Sequence, residues 1–175
     1  MDNLIFIGGI HGVGKGTICA NVCINSHLIH LSSSQVLKWK DISSPQNKLV
    51  TDFEFTQDRL IENLKNIVQA DKKYLLDGHY CLLDKDGKPE RINQKTFELI
   101  DPFAFVIVTG NISEIKERLD KRDKVNYNLS LLEHFQLVEM EYAKSLSQIL
   151  GKPLLVINKE SHTKLNEFIK NESFT

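Results

Sequence analysis

Gly9-Ile10-His11-Gly12-Val13-Gly14-Lys15-Gly16-Thr17 follows directly on the apolar run Leu4-Ile5-Phe6-Ile7-Gly8, and this junction decides the fold. Gly9, Gly14 and Lys15 have the G-x-x-x-x-G-K spacing of a loop whose backbone N–H groups turn inward around an anion. The glycines let the backbone reach positive φ and approach phosphate oxygens closely. A helix beginning near Lys15 adds its N-terminal partial charge, and the lysine, read as a surface cation, reaches the terminal phosphates. The strict pattern has a hydroxyl residue directly after the lysine. Gly16 stands there and Thr17 follows, so the hydroxyl that serves Mg2+ is displaced by one residue or replaced by water. His11, in the middle of the loop, is assigned no catalytic role.

Outward from the loop, strand-like runs alternate with helical stretches, the pattern of a parallel sheet covered on both faces. Strands are predicted at Leu4–Gly8, Leu28–Leu31, Tyr74–Asp77, Phe103–Thr109 and Pro153–Ile157. Helices are predicted at Lys15–Asn25, Ser34–Lys40, Phe53–Ala70, Asn93–Leu99, Ser113–Arg122, Leu129–Leu150 and Thr163–Lys170. Asn111 with Glu114 three residues on reads as a helix start, and Gly151-Lys152-Pro153 as a helix stop. The expected architecture is α/β, a three-layer sandwich around a five-stranded parallel sheet. The chain has 175 residues, which fits one domain able to bury about 70% of its unfolded surface.

The net charge of −1 comes from interspersed acids and bases, which excludes a basic face built for nucleic acid. No apolar run approaches the roughly 18 residues of a membrane span, and the chain enters its first strand without a leader. A soluble, cytoplasmic protein is expected. Cys19, Cys23 and Cys81 have no secreted-scaffold spacing and read as small core residues in a reducing compartment. Cys19, Cys23 and His27 share one helical stripe, with His30 beyond, but that stripe must face the sheet, so a zinc reading is set aside.

In such sheets ligands lie beyond the carboxyl ends of the strands. Tyr74-Leu75-Leu76-Asp77 ends there, from where Asp77 can hold Mg2+ or its bound water. His79 reads equally well as packed or functional. Leu82 to Ile92 reads as a flap turning at Asp86-Gly87. Arg118 and Arg122 share a helix face, as charges on a migrating phosphoryl group or as partners in pairs such as Glu114-Arg118 and Glu117-Lys121. The polar stretch 123–128 between two helices reads as a short closing lid.

These stretches together resemble the nucleoside monophosphate kinases, most closely adenylate-kinase-like proteins of the archaeal type. Gly9 to Thr17 is similar to the family's G-x-x-G-x-G-K-G-T loop. His30-Leu31-Ser32-Ser33-Ser34-Gln35-Val36-Leu37-Lys38 is similar to its acceptor-binding H-I-S-T-G-D-x-L-R segment. Leu75-Leu76-Asp77-Gly78 resembles its strand end, and Glu117-Arg118-Leu119 through Arg122 its lid entrance. Ser33, Gln35 and Lys38 stand where the family has threonine, aspartate and arginine, and His79-Tyr80-Cys81 replaces the F-P-R of bacterial members.

The resemblance implies ATP and Mg2+ as cofactors. Gly9, Gly12, Val13, Gly14, Lys15, Gly16 and Thr17 would bind the phosphates, Thr17 and Asp77 would serve the metal, and Lys15, Asp77, Arg118 and Arg122 would be catalytic. Ser33, Lys38, His79 and Arg91 would line the acceptor site, within an acceptor segment near 30–70, a flap near 80–92 and a lid near 122–130. The activity implied is transfer of the γ-phosphate of ATP to a nucleoside monophosphate or similar small acceptor. The alternative is an ATPase or nucleotide-dependent switch of the same fold acting on a protein partner.

Overall fold

The computed structural model describes residues 1–37, 53–160 and 162–171. Five strands, β1 (Leu4–Gly8), β2 (Leu28–Ser32), β3 (Lys73–Asp77), β6 (Ala104–Thr109) and β7 (Leu154–Asn158), form one sheet in the order β2-β3-β1-β6-β7. Every pairing in it is parallel. β1 lies in the centre and is buried along its whole length, as a continuous apolar run in a sheet covered on both faces must be. Because β1 pairs with β3 on one side and β6 on the other, the chain reverses its winding beside β1. The phosphate loop leaves the sheet at that crevice.

The helices are α1 (Lys15–Asn25), α2 (Ser33–Val36), α3 (Phe53–Ile67), α4 (Gln94–Ile100), α5 (Ile112–Asp123), α6 (Leu129–Leu150) and α7 (His162–Asn171). α1 packs on β2, β3 and α7, while α6 packs on β6, α4, α5 and the hairpin of β4 (Cys81–Leu83) and β5 (Pro89–Arg91). The sheet is thus layered between helices. α1 and α6 begin and end where the sequence places them, and α6 carries local signals at both ends. Asn128 caps α6 by accepting from the amide of Leu131, and Gly151 closes it at a φ of 62°. The Asn111 side chain likewise accepts from the Glu114 amide at the start of α5. The helix predicted from Ser34 begins at Ser33 and is described to Val36; the residues beyond Leu37, up to 52, lie outside those described.

Beneath the loop the core is aromatic. Phe6 of β1 meets the rings of Tyr80 and Phe97 edge to face at 5.1 and 5.3 Å between centroids. The Tyr80 hydroxyl donates to the Val106 carbonyl oxygen, so this buried phenol is satisfied. Its ring passes so close to Gly8 that a Cβ there would lie 2.3 Å from Cε2. Among the described residues no helix is long and apolar enough to cross a membrane.

Candidate active site

The loop closes on Gly14, whose φ of 105° makes it a left-handed N-cap for α1. No side chain caps this helix and its first turn carries no acid, so its leading N–H groups are left for a ligand. A Cβ on Gly14 or Gly16 would meet nothing within 4 Å, which shows the cradle to be open on that side. These features suit a phosphate chain.

Lys15 is not the surface cation expected. It is 8% exposed, and its Nζ donates to the carbonyl oxygens of Gly9 at 2.6 Å and Ile10 at 3.2 Å. A lysine on the first turn of α1 lies under the loop that precedes it, so the ammonium folds back onto loop carbonyls. Burial pushes its pKa down, and the nearby carboxylates of Asp77 and Glu139 oppose that shift.

Asp77 ends β3, and burial raises its pKa while Lys15 and then His30 pull it down. His30 Nε2 stands 3.7 Å from Asp77 Oδ2, too far for a hydrogen bond. Donor atoms of Cys19, His30 and Asp77 lie within 4.8 Å of one another. Cys19 of the helical stripe and His30 of β2 therefore meet a carboxylate from β3. For Mg2+, which takes hard oxygen donors, the Thr17 hydroxyl and the Asp77 carboxylate are the fitting pair. Both border the same cavity.

That cavity has a volume of about 530 Å3 and runs from the phosphate loop to the walls supplied by α2, α3 and α4. It gathers Gly12, Gly14, Lys15, Gly16 and Thr17 from the loop with Asp77, Ser33, His79 and Arg122. Gly9 and Val13 lie behind it, buried in the loop's base. Arg122 reaches it while making two 2.7 Å hydrogen bonds to the Asp123 carboxylate. Arg118 does not line it: its Nε donates to the Gly12 carbonyl oxygen at 3.0 Å, so it ties α5 to the loop. Arg91 does not line it either; its guanidinium lies 5.2 Å from the centroid of the Tyr142 ring. Lys38 lies outside the described residues.

The segment read as a flap forms the β4–β5 hairpin, turning at Asp86-Gly87, with Asp84 Oδ1 accepting from the amides of Asp86 and Lys88. The 124–128 connection is held at both sides, because Lys116 bonds Asp120 and Asn126 while the Tyr127 amide donates to Asp120.

Two groups escaped the sequence reading. Gln57 of α3 is buried against the cavity with its Oε1 lacking a hydrogen-bond partner. Glu139 of α6 is fully buried and accepts from the backbone amides of Tyr80 at 3.1 Å and Cys81 at 3.3 Å. Burial pushes its carboxyl up to about 7 against the pull of Lys15 and those two amides. A signal was present: Glu139 falls between Phe135 and Tyr142 on the buried stripe of α6, where an acid is out of place.

Residues 8–136 match the family model described as AAA domain, AAA_17. The chain belongs to this AAA domain family. No curated protein matches it by sequence. Among solved structures this AAA-family chain is similar to an unliganded sugar kinase from Janibacter sp. HTCC2649, at 17% identity and a TM-score of 0.63 over 98% of this chain and 94% of that one. At that identity the likeness establishes a shared kinase-like α/β fold. The AAA-family match and the open loop together make this a P-loop nucleotide-binding protein.

Proposed function

We propose that the protein is an ATP-dependent phosphotransferase acting on a small acceptor with a nucleophilic oxygen. One observation carries the reading: donor and acceptor walls open into a single cavity, with the phosphate loop on one side and Ser33, Gln57 and Phe97 on the other. Phosphoryl transfer needs mainly positioning and charge, which this arrangement offers. The loop amides and Lys15 hold the β- and γ-phosphates, and Arg122 faces the transferred group. Thr17 and Asp77 would hold Mg2+ directly or through water, and the metal when bound supplies positive charge between the phosphates. Water exclusion falls to the apolar side chains of Leu37, Leu60 and Phe97, which line the far wall. Such a site fits the adenylate-kinase-like resemblance in plan while leaving its acceptor to be named by chemistry.

The test is label transfer from γ-labelled ATP with Mg2+ to added small acceptors. A labelled product beyond inorganic phosphate supports the reading. Hydrolysis alone, with every acceptor tried, returns the protein to the ATPase or switch class.

A further inference from the structure

Gln57 of α3 is 7% exposed and borders the cavity, yet its Oε1 has no hydrogen-bond partner among the described residues. Ser33 Oγ, at the start of α2 and on the same cavity, is buried and unpartnered in the same way. It sits so close to the turn after β3 that a Cβ on Gly78 would lie 2.7 Å from it. A buried oxygen without a donor weakens the fold, and an apolar side chain of similar length would fill the space without that cost. A donor that arrives with a ligand accounts for both oxygens. The rest of the wall narrows the choice of ligand. Leu37, Leu60, Phe97 and Ile100 line it, whereas the lysine, aspartate and arginine on the cavity come from the first turn of α1, the β3 end and α5. A sugar carries hydroxyls on all its faces, and apolar walls would strip their water and return nothing. A flat ring loses water from apolar faces and meets polar groups only at its edge, which suits a site with few of them.

We propose that Gln57 selects the acceptor, pairing through its amide with the lactam or amidine edge of an uncharged heteroaromatic ring held in the apolar half of the cavity. This rests on the phosphotransfer reading above and gives it an acceptor class: an oxygen nucleophile carried on such a ring, rather than a free sugar. The glutamine amide sets an acceptor oxygen beside a nitrogen with two donors, and turning its last torsion exchanges their places. Its complement is a group with a donor and an acceptor side by side in one plane. The N–H and carbonyl of a lactam fit, as do the amino group and ring nitrogen of an amidine, the pairing that a glutamine makes with adenine. Ser33 Oγ supplies a second hydrogen bond to the same ligand. Neither contact needs a charge on the ring.

The experiment reads binding and transfer separately on the full chain. Calorimetry with Mg2+ and a non-hydrolysable ATP analogue measures the affinity for two probe sets. The first is inosine, uridine, adenosine and cytidine, free and as monophosphates, whose rings carry the edge; the second is ribose, glucose and glycerol, which lack it. Label transfer from γ-labelled ATP to the same probes reads the reaction. A probe of the first set is expected to bind at least about tenfold more tightly than any of the second. Gln57→Leu is expected to weaken that binding by about 10- to 100-fold, the range for leaving a ligand's buried polar edge unpaired, with the affinity for the ATP analogue unchanged. Its urea midpoint is expected to equal or exceed the parent's, because an unpaired amide has been replaced by an apolar group. Should Gln57→Leu unfold by circular dichroism, Gln57→Met carries the same comparison. Equal probe affinities in parent and variant, polyols bound as tightly as rings, or no probe bound overturns the assignment of Gln57, and label on any probe then leaves phosphotransfer standing. Binding that depends on Gln57, with label found only in inorganic phosphate, overturns phosphotransfer and leaves the ring site in place.

Discussion

Lys15 Nζ donates to the Gly9 carbonyl oxygen at 2.6 Å, so the ammonium at the start of α1 rests against the loop that precedes it. The same ammonium is the positive neighbour of two acids, the half-buried Asp77 and the fully buried Glu139. Its removal therefore has two consequences of different kinds. Lys15→Ala is expected to lower turnover by about 10²- to 10³-fold, as for loss of one charge-stabilising group at a transition state. It is also expected to destabilise the fold more at pH 8 than at pH 5, because Glu139 then ionises without its cation. Urea titrations at the two pH values check the second effect. An equal change in stability at both would detach Lys15 from Glu139.

Asp77→Asn retains the shape of the β3 end and removes a charge from the cavity that Thr17 also lines. The half-saturating concentration of Mg2+ for turnover is expected to rise several-fold and the maximal rate to fall, with a smaller effect on folding. Titration of Mg2+ at saturating ATP reads both. The same half-saturation and the same maximal rate in the two proteins would make Asp77 a turn residue only.

Gly8 has no room for a methyl group, since a Cβ would lie 2.3 and 2.5 Å from Cε2 and Cδ2 of Tyr80. That ring is itself fixed by Phe6, Phe97 and the Val106 carbonyl. Gly8→Ala is expected to cost about 1–3 kcal/mol, as over-packing of a filled core does. Denaturant unfolding with an unchanged slope and a lowered midpoint is the expected result. An unaltered midpoint would mean that the ring has freedom to move.

The parts of this molecule legible in the sequence are those whose causes are local. The loop glycines, the Asn111 and Asn128 caps and the Gly151 stop each act within a few residues, and the elements they bound fall where expected. The β1 run reads as a buried strand because nothing polar interrupts it. What stayed hidden depends on distant partners. Glu139 is 59 residues from Tyr80, whose amide it accepts, and Arg118 is 106 from Gly12, whose carbonyl it binds. A helical arginine has the same local sequence whether it faces a phosphate or clamps a loop. The burial of Lys15 is hidden for a related reason: its place in the loop pattern suggests an exposed cation, but only the folded loop shows that its ammonium rests on the carbonyls of Gly9 and Ile10.

The pH dependence of folding offers a reading of Glu139 that needs no substrate. Burial lifts its carboxyl from 4.5 to about 7 in the fold. Between those values the native state holds a proton that the unfolded chain has released. Stability from this group is therefore fully present below pH 4.5, declines as pH rises towards 7 and levels off above it. The complete loss amounts to about 3 kcal/mol. Glu139→Gln abolishes the titration while its side-chain carbonyl can still accept from the Tyr80 or Cys81 amide. Measured against the parent by urea unfolding, the variant is expected to gain relative stability, by about 3 kcal/mol in all, as pH is raised from 4 to 8. Other titrating groups are common to both chains and largely cancel in the difference. Parallel stability curves across that range would show that Glu139 ionises in the fold as it does in water, and the buried carboxylate would lose its claim to a tuned charge.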